Sequence, residues 1–164
     1  MIAGAFCVTK LPDSTLSLLL YDEVVLKWKE HQQLKKDDRE ACGVLIGGYD
    51  TNKSLYIVSD ITTPLPEDIR SRTAFRMLDK GHQKAVDSAF ENSGGKKIYL
   101  GTWHTHPEAH PEPSSVDIDD WKKCMKRNEG RKLFFVIVGQ ESFRIFVYSE
   151  VESGFNLLMT RSIK

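Results

Sequence analysis

Two histidines one residue apart, His104 and His106, end an apolar run, and a proline-rich loop carries the chain on to Ser114 and Asp117. On a strand, residues i and i+2 point to the same face, so both imidazoles can meet one metal ion. Pro107, Pro111 and Pro113 fix φ along the connection. That limits the entropy lost in bringing Asp117 back to the same ion. Two imidazoles and one carboxylate make three protein ligands, and a catalytic zinc site keeps its fourth position for water. Zinc lowers the pKa of such a water to roughly 7, which supplies a hydroxide nucleophile near neutral pH. The chemistry also needs a base to move a proton from that water to the leaving amine, a task a carboxylate can perform. It gains from a donor to the developing oxyanion. Ser114 lies one helical turn before Asp117, and its hydroxyl is the candidate donor. The base must come from elsewhere in the chain.

Plainer readings exist for each of these residues. Ser114-x-x-Asp117 is also a helix-capping pair, and capping does not exclude catalysis. Asp117 alone is a favourable first-turn anion. His110 is a third histidine in the loop, either a ligand in place of Asp117 or an exposed loop residue. Cys42 and Cys124 read as buried packing residues. Trp103 reads as packing under the site.

The elements that must position these groups follow from periodicity and turn chemistry. Residues 1–15 read as a loose lead-in with a turn at Pro12-Asp13-Ser14. A short strand follows over 16–21. Tyr21, Val24, Val25 and Trp28 then fall on one face of a helix reaching about Gln33. Residues 35–39 form a mixed charge cluster. Residues 40–48 and 54–61 read as a strand hairpin. The segment 62–72 is an irregular crossing whose arginines can line a groove. A helix is expected over 75–90, stopped by Gly94-Gly95. A strand over 96–106 carries the histidines, and a second long helix runs from Ser114 to about Asn128. Strands follow over 133–138, 143–148 and 155–159. This order implies a mixed sheet with helices packed on it, α+β or loosely α/β.

At 164 residues the chain suits a single domain, 1–164, with a full core. Its formal net charge of zero argues against a general nucleic-acid or membrane binder. The N-terminus lacks the pattern of a secretion signal, and no window approaches the roughly 18 apolar residues of a membrane span. Three widely spaced cysteines make neither a disulfide framework nor a zinc knuckle, so a reduced, cytoplasmic protein is expected.

The stretch His104-x-His106-x7-Ser114-x2-Asp117 resembles the signature of the JAB/JAMM (MPN-plus) metalloproteases at every defined position. The match includes the prolines after the second histidine and before the serine. That family also has an upstream glutamate opening a Glu-x-x-Gly-x-Leu-x-Gly strand. Glu40-Ala-Cys-Gly-Val-Leu-Ile-Gly47 is similar to it. The resemblance covers roughly residues 16–148. It implies one Zn2+ held by His104, His106 and Asp117, with Glu40 as general acid/base and Ser114 as oxyanion stabiliser. It implies the JAB/MPN-like, cytidine-deaminase-like fold, a curved mixed β-sheet flanked by helices. It further implies cleavage of isopeptide or peptide bonds after the C-terminus of a ubiquitin-like protein.

Within the family, residues 70–76, the helix after them and Gly101-Thr-Trp-His-Thr-His-Pro107 most resemble the bacterial deconjugases of CBASS anti-phage operons. Those act beside an E1–E2 fusion enzyme that conjugates a cGAS-like nucleotidyltransferase (CD-NTase) through its C-terminus. The expected partner is therefore the C-terminal tail of a CD-NTase or ubiquitin-like conjugate. The segment 62–76, with Arg70, Arg72 and Arg76, is the expected place for tail contacts. Alternatives are a JAMM protease processing a sulfur-carrier or ubiquitin-like protein, and a non-catalytic MPN recruiting module.

Overall fold

The computed structural model of the chain describes residues 4–11 and 14–164. Near-continuous apolar runs leave no polar face for solvent and so become inner strands. Two such runs, β3 (Cys42–Asp50) and β8 (Phe134–Val138), flank β7 (Ile98–Thr105), which ends between the two histidines. β7 pairs antiparallel with β3 and parallel with β8. The remaining strands of this sheet are β1 (Gly4–Lys10), β2 (Thr15–Tyr21), β4 (Leu55–Ile61), β9 (Ser142–Ser149) and β10 (Gly154–Ser162). The order is β1-β2-β4-β3-β7-β8-β9-β10. The Thr9 hydroxyl donates to the Leu158 carbonyl at 3.1 Å, so the first and last strands meet and the curved mixed sheet nearly closes.

Side chains on β8 alternate between two cores, as the period of a strand requires. Phe134, Val136 and Val138 join Trp28, Trp103 and Leu45 on one face. Phe135 and Ile137 join Trp121, Cys124 and Phe146 on the other. Helix α1 (Asp22–Glu30) buries Val24 and Trp28 in the first core. Two further helices are α2 (Gly81–Asn92) and α3 (Ser115–Arg127). Trp121 of α3 stacks on Phe135, with ring centroids 5.1 Å apart, and clamps that helix to the second core. Trp103 is fully buried beneath the histidines, as expected, and its Nε1 donates to the Thr62 carbonyl at 2.8 Å.

Three expectations about elements are corrected. The lead-in is not loose: β1 pairs with β2 over seven registers. Of the expected turn, Pro12 and Asp13 lie outside the described residues, and Leu11 N–H donates to the Ser14 carbonyl. Helix α1 ends at Glu30 rather than near Gln33. The helix expected from Phe75 begins only at Gly81. Before it, β5 (Ile69–Arg70) and β6 (Phe75–Arg76) form a small hairpin. Two aspartates explain the difference. Asp68 accepts from the amides of Leu65, Leu78 and Asp79 and from His82 Nε2. Asp79 accepts from the amides of Glu67 and Gly81. Amides taken by side chains are not available to an earlier helical turn.

Gly43 in β3 is a site of close approach. A Cβ there would collide with the Thr62 carbonyl and with Trp103 Nε1, the two partners of the bond under the histidines. Gly43→Ala is expected to destabilise the fold by about 1–3 kcal/mol, the usual scale of forced overpacking. Urea unfolding with the tryptophan signal measures this, and an unchanged midpoint would refute the packing assignment.

Candidate active site

His104 and His106 sit at the C-terminal end of β7, on the same face, and both are buried. Ser114 caps α3 with extended backbone, φ −78° and ψ 169°. Its Oγ accepts from the Asp117 amide at 3.1 Å, while its own amide donates to Asp117 Oδ2 at 2.9 Å. This reciprocal capping box fixes the first turn of α3 and aims the Asp117 carboxylate at the histidines. The two Nε2 atoms are 3.1 Å apart. Asp117 Oδ1 lies 3.2 Å from His104 Nε2, and Oδ2 lies 3.1 Å from His106 Nε2. These are close to the edges of a tetrahedron, since ligands ~2.0–2.1 Å from a zinc ion stand about 3.3 Å apart. Two imidazoles and a carboxylate at such spacing fit a metal ion, with the ligand atoms of His104, His106 and Asp117 all within 4.8 Å of one another.

The electrostatics agree with a cation site. Burial works to raise the Asp117 carboxyl, but hydrogen bonds with His104 and His106 outweigh it and hold the group well below the usual carboxylate range. Burial holds His104 below the usual imidazole value. At His106 burial is outweighed by the bond and charge of Asp117, with Glu40 and Glu108 adding, so its pKa is raised.

Glu40 is buried at the entry to β3, with Oε1 3.9 Å from His106 Nε2. Burial pushes its carboxyl up to about 7. A carboxyl with that affinity can both take and release a proton near neutrality. The Ser114 hydroxyl spends a lone pair on the Asp117 amide, which leaves its O–H able to donate into the cleft. The five residues singled out in the sequence therefore converge.

His110 does not join them. Its ring meets Ser142 Oγ at 2.9 Å and Glu141 at 3.4 Å, and its side chain is 57% exposed, so the exposed-loop reading holds. Cys42 and Cys124 are buried free thiols. Burial pushes Cys42 up to about 12, which fits packing rather than nucleophilic duty.

Residues 24–149 match the family model of prokaryotic homologs of the JAB domain. The chain belongs to this family. A CD-NTase/cGAS isopeptidase of Vibrio cholerae serotype O1 is 34% identical to this JAB protein over 149 residues, covering 86% of this chain and 93% of that one. Another of that description, from Escherichia coli, is 32% identical over 128 residues, covering 78% and 80%. The solution structure of a protein from Desulfitobacterium hafniense shares the fold, with a TM-score of 0.56 at 22% identity, covering 84% of this chain and 87% of that one.

Several residues that build this JAB site carry no signal in the sequence. Glu108 Oε1 lies 2.8 Å from His106 Nδ1 and turns Nε2 toward the metal position. Phe75 packs on the His104 ring at 5.0 Å. Two of the arginines expected to meet a substrate tail are spent internally. Arg70 donates to the Glu40 carbonyl at 3.2 Å, and Arg72 to the carbonyls of Lys35 and Lys36. The Glu40 amide donates to the Ser71 carbonyl at 2.7 Å, so the hairpin of β5 and β6 holds Glu40 from both sides.

Gln33 is the hub of this support. It is fully buried, and its Nε2 donates to the carbonyls of Asp38 and Arg72. Its Oε1 accepts from the Thr105 hydroxyl at 2.8 Å, and that hydroxyl accepts from the Ala41 amide at 2.9 Å. One amide side chain thus joins the loop before Glu40, the hairpin and β7. Gln33→Ala strands buried partners and is expected to cost about 2–3 kcal/mol. It should also speed hydrogen exchange at the Ala41 amide while leaving metal binding at the triad intact. Denaturation, exchange and metal titration on the same variant check this, and unchanged exchange at Ala41 would remove the positioning role.

Proposed function

We propose that this protein is a zinc-dependent isopeptidase that removes a CD-NTase from the proteins to which its C-terminus has been conjugated, in bacterial anti-phage defence. The observation that carries the reading is the convergence of Glu40 and Ser114 on the His104–His106–Asp117 cluster. The substrate class is supported by the description of the relatives that align over most of the chain. Among the described residues no helix is long and apolar enough to cross a membrane. A cytoplasmic setting beside an E1–E2 fusion enzyme belongs to the same reading, as does the chain acting as one domain over 1–164.

His104, His106 and Asp117 would hold the zinc, which would supply Lewis acidity toward water and the scissile carbonyl. Glu40 accepts the proton of the attacking water as its oxygen adds to the carbonyl carbon. The Ser114 hydroxyl donates to the oxyanion that develops. Glu40 then passes the proton to the amine nitrogen as the C–N bond breaks, so its charge state is restored. The second proton of the added water reaches the amine as the new carboxyl ionises, so the products are a C-terminal carboxylate and a lysine ammonium. The partly buried Phe75 and the α3 N-terminus border the cleft and limit water around the reacting carbonyl.

Each role has its own signature. Glu40→Gln should bind zinc at the wild-type level and lose about 10²–10⁴-fold in turnover, the range for general acid–base catalysis. Ser114→Ala should lose about 10²–10³-fold in kcat through the missing oxyanion donor. His104→Ala and Asp117→Ala should lose zinc and activity together. The check is cleavage of a CD-NTase tail fused to a reporter, beside ubiquitin-like and sulfur-carrier fusions, with zinc content measured for every variant. Wild-type activity that survives chelation and zinc depletion would overturn the mechanism. Cleavage confined to a sulfur-carrier fusion would overturn the substrate.

A further inference from the structure

The cleft at the metal cluster has two arms of opposite charge. One, a hollow of about 450 Å³, is lined by Glu40, His106, Glu108 and Ser114. The other, about 260 Å³, is lined by His104, Trp121, Arg76, Lys123 and Arg127. Phe75, Asp117 and Asp120 border both. Apart from the cluster residues His104, His106 and Asp117 and the shared Asp120, the charged side chains of the first arm are carboxylates and those of the second are cations. Arg76, Lys123 and Arg127 are exposed, and none forms an ion pair among the described residues.

The helix dipole favours a cation in the last turn of α3. It does not account for Lys123 lying a full turn earlier, or for Arg76 facing the same hollow from β6. The sequence from Lys122 to Lys132 carries six Lys and Arg against one Glu in a chain whose formal charge is zero. Positive charge is therefore concentrated at this end of α3.

Resting on the isopeptidase reading, we propose that Arg76, Lys123 and Arg127 are specificity determinants. They would select a conjugated tail carrying acidic residues upstream of the scissile bond. The direction follows from the products. Glu40 delivers its proton to the leaving amine, and the lysine released becomes an ammonium. The amine therefore leaves through the arm that holds Glu40 and Glu108, and the acyl tail lies in the basic arm.

The register follows from α3. Lys123 lies six residues beyond Asp117 and Arg127 ten, which are about 9 and 15 Å along a helix at ~1.5 Å per residue. An extended tail covers about 3.3 Å per residue. The favoured acidic positions are thus about three and about five residues before the cleaved bond.

The test compares reporter fusions whose tails carry Glu, Gln or Lys at those two positions. It uses the wild type, Lys123→Glu/Arg127→Glu, and the milder Lys123→Gln/Arg127→Gln. The wild type should cleave the acidic tail about tenfold more efficiently than the neutral one, the scale of two or three exposed ion pairs. The preference should shrink as salt screens the charges. Charge reversal should invert the order of acidic and basic tails, and the glutamine pair should flatten it.

Glu40→Gln protein with the same tails as dye-labelled peptides gives an anisotropy readout that needs no turnover. Cleavage without charge preference, or the same preference in all three proteins, overturns the basic-arm proposal and leaves the reaction standing. Charge-selective binding with no cleavage by the wild type supports the arm and sinks the reaction. Absence of charge selectivity in both assays overturns the arm.

Discussion

The carboxylate of Asp117 is the group on which the strand that carries the histidines and the helix that follows them meet. It is buried, ionised, and shared by His104, His106 and the Ser114 amide. An ionised carboxylate away from water is tolerated only where several donors or a cation meet it. Those donors come from two consecutive elements joined by the proline-rich loop. β7 must end where the histidines emerge, and α3 must start where its cap faces them. The parallel pairing of β7 with β8 and the Trp121–Phe135 stack set that distance. Much of the second core thus serves to place one helix N-terminus against one strand end.

Glu40 is held by a different principle. Its backbone is tied to the hairpin on both sides, and the next residue, Ala41, is tied to Thr105 and through it to Gln33, while the Glu40 side chain meets the site only at 3.9 Å from His106. In the proposed mechanism the proton carrier must not be locked into a strong bond with a ligand, because it would move a proton between water and leaving group. Rigid backbone anchoring with a lightly engaged carboxylate gives that combination. Burial then supplies the raised affinity for protons.

The constellation of site residues is legible in the sequence because strand and helix periods convert spacing directly into direction. His104 and His106 share a face through a period of two, and Ser114 and Asp117 through one helical turn. The sheet order and Glu40's approach are products of non-local pairing, which no local period encodes. The structure departs from local spacing at residues 75–80, where side chains compete with the backbone. Residues 75–80 have helical spacing, yet Asp68 and Asp79 take the amides that an early helix start would use. β1 was obscured because its partner β2 lies across a turn and supplies the pattern only as a pair. Gln33 was hidden for a different reason. A lone glutamine beside a charge cluster reads as surface, and only the fold reveals its three partners, Asp38, Arg72 and Thr105.

The position of α3 separates chemistry from selection. Its N-terminus contributes Ser114 and Asp117, whose spacing leaves almost no freedom to vary. Its later turns contribute Lys123 and Arg127, which point into the cleft from about 9 and 15 Å further along a rigid rod. A substitution there alters the field along the incoming chain without moving the cap or the ligands, because exposed charges carry little of the fold's stability. The hairpin of β5 and β6 divides its arginines in the same way. Arg70 and Arg72 brace the Glu40 segment, and Arg76 faces the cleft. A fold arranged like this can keep its peptidase machinery fixed while the charge of the cleft follows the tail it has to read.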